Sequence, residues 1–228
     1  TISPTGPDRG AEQSFEVPGL DRIRVDEKLD GQIPLALTFQ DLDGRSHALS
    51  EYVNGEKPVL LTFAYHTCPT LCSMVLDAVT GSLREVPWTI GEEYEVITIS
   101  IHPQEDTVRG RAKRQQLLRR YGRDAAARGW HFLVGDERSI ARITDAVGYR
   151  FFYDARQGEY AHPAAITFLT PQGRIARYLY GLEFSPSDIR MALLEASEGR
   201  SISTGEHFLL YCYSYDPVGQ TYALNIMR

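Results

Sequence analysis

The sequence has few cysteines, with three among 228 residues. Three cysteines are too few for a disulfide framework, and a chain of this length can bury a hydrophobic core without one. The sequence also lacks any run near the roughly 18 to 20 apolar residues that a membrane-spanning helix needs. The longest apolar candidates are 59–65 and 208–213. These absences exclude a disulfide-rich scaffold and a spanning helix, and each cysteine therefore needs its own explanation.

An overall excess of positive charge is absent as well. The chain has 24 Lys and Arg against 30 Asp and Glu, a net charge of −6, and 43% hydrophobic residues. This composition excludes a disordered chain and a generally basic nucleic-acid binder. Residues 109–128 nevertheless hold eight basic residues and one acidic residue, a local balance of +7 that leaves −13 elsewhere. We interpret this segment as either the solvated face of a helix or a docking stripe for an acidic partner or anionic lipid.

Apolar periodicity divides the chain into alternating strands and helices. A hairpin is predicted over 33–49, and a strand at 59–65 is apolar on nearly every residue, as in a strand buried on both faces. The remaining predicted strands are 94–101, 131–134, 164–169 and 174–180, and the predicted helices are 71–86, 106–121, 137–147 and 185–199. This order predicts a three-layer α/β domain, in which helices cover both faces of a mostly parallel sheet and the late hairpin adds an antiparallel edge.

The two ends of the chain differ from this central part. Residues 1–31 contain several Pro and Gly residues without sustained periodicity, and we interpret them as a lead-in segment. Residues 32–199 form the predicted α/β domain. Residues 200–228 alternate in a way that predicts an appended C-terminal β-hairpin, with its turn at 216–219.

Two of the cysteines, Cys68 and Cys72, lie at a predicted strand-to-helix junction. If this segment is helical, the thiols lie one turn apart and their Cα atoms are about 6 Å apart, within the range for a disulfide. A helix N-terminus stabilises thiolate, which suits either redox exchange or a soft metal ion. A third interpretation is two buried cysteines that pack beneath the helix.

The spacing of this pair bears on the choice between redox and metal chemistry. Three residues separate the cysteines, whereas dithiol oxidoreductases usually have two. Two thiolates and one imidazole would suit Cu(I), and a further oxygen ligand would also allow Cu(II). His162 is the leading histidine candidate because it directly precedes Pro163 and a predicted strand, near the sheet edge where α/β proteins bind ligands. The alternative is a loop histidine with ordinary hydrogen bonds.

Three segments together resemble the Sco (SenC) family of copper chaperones. They are YHTCPTLC at 65–72, TISIHPQEDT at 98–107, and HPAAITFL at 162–169 followed by PQGR at 171–174. The resemblance covers about residues 32–198 and implies a thioredoxin-like fold in which Cys68, Cys72 and His162 bind copper. It also implies that the client is the binuclear copper site of cytochrome c oxidase subunit II, as the recipient of copper or of reducing equivalents.

The resemblance further implies a location in the periplasm, on the outer face of a bacterial inner membrane, or in a mitochondrial intermembrane space. Membrane association is then expected through a segment outside this chain, which begins at Thr1. An alternative function from another class is a thiol-disulfide oxidoreductase, with Cys68 as nucleophile and Cys72 as resolving thiol. A peroxidase is a weaker third hypothesis.

The sequence departs from the family pattern near the expected site. Ala161 replaces a common acidic residue before the histidine, and His102 replaces a common aspartate. We interpret His102 as either an auxiliary ligand or a solvated histidine at a strand end. His66 either tunes the thiolates or lies at the rim, and Cys212 is either buried or able to form a mixed disulfide.

Overall fold

The computed structural model describes residues 22–65, 71–156, 158–197, 213–216 and 221–224, with only the backbone described at 71–73 and in the last two segments. The strands are β1 Arg24–Val25, β2 Thr38–Asp41, β3 Ser46–Ala48, β4 Val59–Ala64, β5 Glu95–Ser100, β6 Trp130–Val134, β7 Tyr149–Arg150, β8 Phe152–Asp154, β9 Glu159–Ala161, β10 Ala165–Leu169, β11 Ile175–Tyr180, β12 Tyr213–Asp216 and β13 Thr221–Leu224. The helices are α1 Leu71–Glu85, α2 Thr107–Tyr121, α3 Ala126–Gly129, α4 Glu137–Val147 and α5 Pro186–Ala196, with a short 3₁₀ helix at Leu49–Glu51.

Seven strands form a central sheet in the order β11-β10-β4-β5-β6-β2-β3. Within the described strands of this sheet, only the pairs β4–β5 and β5–β6 are parallel, while the other four pairs are antiparallel. The α/β prediction is confirmed, and so are the antiparallel pairs of the two predicted hairpins, β2–β3 and β10–β11. "Mostly parallel" was wrong, because β2–β6 and β10–β4 are also antiparallel. The reason is that the chain returns from β6 through α4 and enters β10 from the opposite end of the sheet.

Both faces of this sheet are covered. Every residue of β4 and of β10 is buried, as the unbroken apolar run at the start of β4 predicts. Helices α1, α2 and α5 cover one face, where α1 contacts both of the others. Helix α4 buries Ile140, Ile143 and Val147 and continues into β7 on the return path across the other face. The predicted three layers are therefore present.

Several short elements have no counterpart in the sequence prediction. Strand β1 pairs antiparallel with β7, and β8 pairs antiparallel with β9. The β8–β9 hairpin matters most, because β9 ends one residue before His162. The C-terminal hairpin is present as the antiparallel pair β12–β13, whereas residues 208–212 of its predicted first strand lie outside the described residues.

The basic segment of α2 and its C-terminal extension does not form a single solvated face. Arg123 donates to three backbone carbonyls at and just beyond the end of α1. Arg114 donates to the carbonyl of Trp130 at 3.1 Å. Lys113 and Arg120 lie 3.9 and 3.5 Å from the Asp77 carboxylate on α1. Arg111 donates to the backbone carbonyl of Leu42. Five of the eight basic residues thus anchor this segment, and the other three are exposed and remain for the docking-stripe interpretation.

The β2–β3 hairpin has a histidine between two carboxylates. His47 contacts Glu51 at 2.8 Å and Asp41 at 3.3 Å. The hydrogen bond to Glu51, with help from the one to Asp41, raises the pKa of His47 above its usual value despite partial burial. The same contact with His47 lowers the pKa of Glu51. Protonated His47 therefore stabilises the folded hairpin.

This contact predicts a pH-dependent effect of His47→Gln on stability. Because the folded state raises the pKa of His47, its stabilisation is present below the unfolded pKa and disappears as pH rises through the folded pKa. We expect the variant to lower Tm by about 1–3 °C at about pH 6, and by less at about pH 8.5. Thermal unfolding of both proteins at both pH values checks this, and an equal loss at the two values would contradict it.

Candidate metal centre

His162 lies at the edge of the sheet where β4 ends. Strand β10 runs antiparallel to β4, so the start of β10 is adjacent to the carboxyl end of β4. The ring of Tyr65, directly after β4, meets the His162 ring edge-on with a centroid separation of 6.4 Å. The His162 side chain is buried, with 4% of its surface exposed. The sequence-based expectation that His162 reaches this edge agrees with the fold.

We infer the neutral tautomer of His162 from its hydrogen-bond partners. Its Nδ1 atom lies 3.0 Å from the carbonyl oxygen of Pro163, which can only accept a hydrogen bond. Nδ1 therefore carries the proton. The Tyr149 hydroxyl lies 2.9 Å from the same nitrogen and donates its own proton to Pro163 at 2.7 Å, so it also accepts from Nδ1. In neutral His162, the lone pair of the ring is consequently on Nε2.

Aromatic rings surround this histidine. Tyr149 is buried and packs against Phe63, with ring centroids 4.7 Å apart. Tyr160, the middle residue of β9, contacts Tyr65 with ring centroids 5.5 Å apart. Burial raises the pKa of the Tyr160 phenol. The rings of Tyr65 and Tyr149 lie against His162 and shield it from water. This burial is consistent both with a metal ligand and with a loop histidine that has ordinary hydrogen bonds.

The cysteine segment leads directly away from this edge. Strand β4 ends at Ala64 and α1 begins at Leu71, so the sequence places Cys68 between the two elements. Cys72 is the second residue of α1, at its predicted helix N-terminus, and its side chain is not described. Cys68, His66 and Cys212 lie outside the described residues. Among the described residues, no group of three or more His, Cys, Asp or Glu side chains can hold a metal ion.

His102 lies on the same rim but is held differently. Its Nδ1 accepts a hydrogen bond from the backbone N–H of Gln104 at 3.1 Å. Neutral His102 therefore carries its proton on Nε2, the opposite tautomer from His162. Its ring stacks obliquely on Tyr160 at 5.4 Å, and Tyr160 separates it from Tyr65. This arrangement favours a strand-end histidine over an auxiliary ligand.

Sequence reasoning missed Tyr149 and the aromatic residues around His162. Tyr149 lies far along the chain from the junction between β4 and α1, and it belongs to no metal-ligand motif. One local signal was available, because Gly148 ends α4 in the left-handed conformation and a short strand follows it. That signal predicts a strand after α4, but it does not indicate which residues the side chain of Tyr149 contacts.

The comparison with known families agrees with this geometry. The SCO1/SenC family model matches residues 28–197, which is most of the chain. The chain belongs to the SCO1/SenC family. The resemblance identified from the three sequence segments is thereby confirmed, and the SCO1/SenC match includes Cys68, Cys72 and His162. No curated protein sequence matches the chain.

Solved structures of the SCO1/SenC family have the same fold. A SCO1/SenC family lipoprotein from Bacillus anthracis is 14% identical, with a TM-score of 0.62 over 77% of this chain and 100% of its own. BsSco, described with a disulfide switch and as one of the cytochrome c oxidase assembly proteins, is 18% identical, with a TM-score of 0.57 over 76% and 98%. Yeast Sco1 with copper bound is 13% identical, with a TM-score of 0.52 over 78% and 98%. The predicted thioredoxin-like α/β class is confirmed.

Within the described residues, no helix is long and apolar enough to cross a membrane.

Proposed function

We propose that this SCO1/SenC protein is a copper chaperone that binds copper through Cys68, Cys72 and His162. The observation that carries the proposal is the position of His162 at the carboxyl end of β4, where its Nδ1 atom lies within hydrogen-bond distance of Tyr149 and Pro163, so that Nε2 is the ring nitrogen we assign to copper. The cysteine segment begins at this same end. Two thiolates and an imidazole form a soft donor set, which suits Cu(I).

The helix N-terminus supports the thiolate state that copper binding requires. Cys72 lies in the first turn of α1, and Cys68 precedes that turn. The positive end of the helix dipole favours the negative sulfur over the protonated thiol. Copper in a relative's structure, yeast Sco1, supports copper as the cargo of this chain.

The expected client is the binuclear copper site of cytochrome c oxidase subunit II, or another protein that accepts copper or is reduced by the cysteine pair. The membership of BsSco in the Sco family of cytochrome c oxidase assembly proteins supports this client. The lipoprotein relative from Bacillus anthracis supports an extracytoplasmic location, in the periplasm or on the outer face of an inner membrane. We expect membrane association through a segment outside this chain, and we expect no nucleic-acid partner.

A second candidate function is reduction of a client disulfide, which the disulfide switch described for BsSco favours. The Cys68 thiolate would attack one client sulfur, forming a mixed disulfide and releasing the other client sulfur as a thiolate. The Cys72 thiolate would then attack Cys68, release the second client thiol and leave the Cys68–Cys72 disulfide. The client gains two electrons and this protein loses two, and an external dithiol reductant restores the pair.

Replacing His162 by alanine separates the two functions. We expect His162→Ala to lower the Cu(I) affinity of the reduced protein by about 10-fold to 100-fold, because one of three ligands is lost. The rate of client disulfide reduction should be nearly unchanged, because His162 is neither nucleophile nor resolving thiol. Competitive titration with a chromophoric Cu(I) chelator, under anaerobic reducing conditions, measures the affinity.

His102→Ala is the matched control, since it removes an imidazole from the same rim. We expect its Cu(I) affinity to stay within about twofold of the wild type, because the backbone N–H of Gln104 occupies its Nδ1. Wild-type affinity in His162→Ala would overturn the proposed ligand set. A large loss in His102→Ala would instead identify His102 as an additional ligand.

A further inference from the structure

We propose that Tyr149 is a positioning residue for the copper site, acting through His162. The inference rests on the proposed copper function. The Tyr149 hydroxyl accepts a hydrogen bond from Nδ1 of His162 and donates one to the carbonyl of Pro163. One phenol therefore connects the histidine ring to the backbone that carries it. This contact strengthens the tautomer that the Pro163 carbonyl favours, and it holds the ring so that Nε2 keeps one direction.

The Tyr149 side chain is well suited to hold another group in place. Only 2% of its surface is exposed, and its ring packs on Phe63 of β4. Its backbone lies in β7, where Val25 of β1 is its antiparallel partner. Tyr149 is thus fixed by ring packing and by strand pairing. The hydroxyl position is consequently determined before any metal arrives.

The chemical effect of this contact falls on Nε2. A hydrogen bond from Nδ1–H to an oxygen makes the opposite ring nitrogen more basic, and it prevents the ring from presenting an N–H to the metal. Without the phenol, Nδ1–H loses one oxygen partner and keeps its contact with the Pro163 carbonyl at 3.0 Å. The ring then has more freedom to rotate and to exchange tautomers. A ligand that must first reorient binds more weakly, because ordering it costs entropy.

The test is Tyr149→Phe, which removes the hydroxyl and keeps the ring. We expect Cu(I) affinity in chelator competition to fall by about 10-fold, the lower end of the range for groups that support metal ligands. In the metal-free protein, ¹⁵N-detected ring spectra should show His162 as the Nδ1–H tautomer in the wild type. In Tyr149→Phe they should show a new Nε2–H population. A purely structural role for Tyr149 would not move this tautomer signal.

Tyr160→Phe is the matched control, because Tyr160 belongs to the same group of rings and contacts Tyr65. We expect it to keep both the wild-type affinity and the wild-type His162 tautomer. Thermal unfolding of both variants verifies that they are folded. The Tyr149 inference is overturned if Tyr149→Phe matches the wild type in tautomer and affinity while His162→Ala binds weakly. Wild-type affinity in His162→Ala would instead overturn the proposed ligand set itself.

Discussion

Replacing Cys72 by serine is expected to lower the Cu(I) affinity of the reduced protein by more than about 100-fold. Groups that only support metal ligands typically contribute about 10-fold to 100-fold, and we expect loss of a charged thiolate ligand to exceed both that range and the loss from removing the neutral imidazole of His162. A thiolate is a soft, charged donor, whereas the serine hydroxyl is hard and neutral, so Cu(I) gains little from the replacement oxygen. Cys72 also lies in the first turn of α1, where the helix dipole favours the thiolate that is lost.

The matched control for this prediction is Cys212→Ser. It removes the one cysteine that lies far from the β4–α1 junction in sequence, and it leaves the proposed ligand set intact. We expect one Cu(I) per protein in the wild type and in Cys212→Ser, with equal affinity in chelator competition. Wild-type affinity in Cys72→Ser would eliminate the Cys68–Cys72–His162 site. An equal loss in Cys212→Ser would mean that copper binds through a different set of thiols.

The same Cys72→Ser variant gives a distinct result for thiol exchange. Without the resolving thiol, Cys68 remains linked to the client as a mixed disulfide. Accumulation of that adduct, together with an unchanged reduction rate in His162→Ala, would favour the oxidoreductase function. Loss of copper binding in both variants, with no adduct formed on the client, would favour the chaperone. The pair of variants therefore separates two functions that share the same cysteines.

The central strands could be predicted from the sequence because burial leaves a local signature. The apolar run from Val59 is continuous because both faces of β4 are covered, and the structure confirms this burial at every position of the strand. The long helices were also predicted from apolar spacing, with α1 and α2 within one residue of the predicted ends. Helix α5 ends three residues before its predicted end, and the four-residue α3 was not predicted. Local patterns were sufficient wherever an element is long and buried.

The orientation of β10 is a different case, because strand direction in a sheet depends on the chain's whole return path. His162 was chosen as a residue that precedes a strand, near the edge where parallel strands end. In a fully parallel sheet, a residue that precedes a strand lies at the other edge. His162 reaches the end of β4 because β10 is antiparallel to β4. The expectation about the position of His162 was thus right, and it requires the first strand of the late hairpin, β10, to run antiparallel to β4.

Tyr149 illustrates what local patterns leave out. Its hydroxyl contacts a histidine 13 residues later in the chain, and this contact forms only after β7 through β9 have folded back beside β4. No spacing rule relates two such residues. The short strands β7 to β9 have two or three residues each, which is too few for an alternating pattern to be recognised. The support of the site therefore had to come from the three-dimensional structure.

The element that holds Tyr149 depends on a close backbone contact at Gly148. Gly148 ends α4 with φ of +75°, in the left-handed region, and its carbonyl accepts a hydrogen bond from the Asp26 N–H at 2.8 Å. A Cβ atom at this position would lie 1.9 Å from the carbonyl oxygen of Asp26, well inside van der Waals contact. Strand β1 can approach β7 this closely only because residue 148 has no side chain.

Gly148→Ala is therefore expected to lower the free energy of unfolding by about 2–4 kcal/mol. About 1–2 kcal/mol arises from forcing alanine into the left-handed region, and the rest from displacing β1 from β7. The matched control is Gly122→Ala, which also ends a helix, with φ of +79°, but whose added Cβ would meet nothing closer than 4.0 Å. Gly122→Ala should lower the free energy of unfolding only by the cost of placing alanine in the left-handed region, about 1–2 kcal/mol. Urea unfolding of both variants measures the difference, and equal losses would show that the Asp26 contact contributes nothing.

Because β7 carries Tyr149, Gly148→Ala should also broaden the His162 ring signals, whereas Gly122→Ala should leave them unchanged.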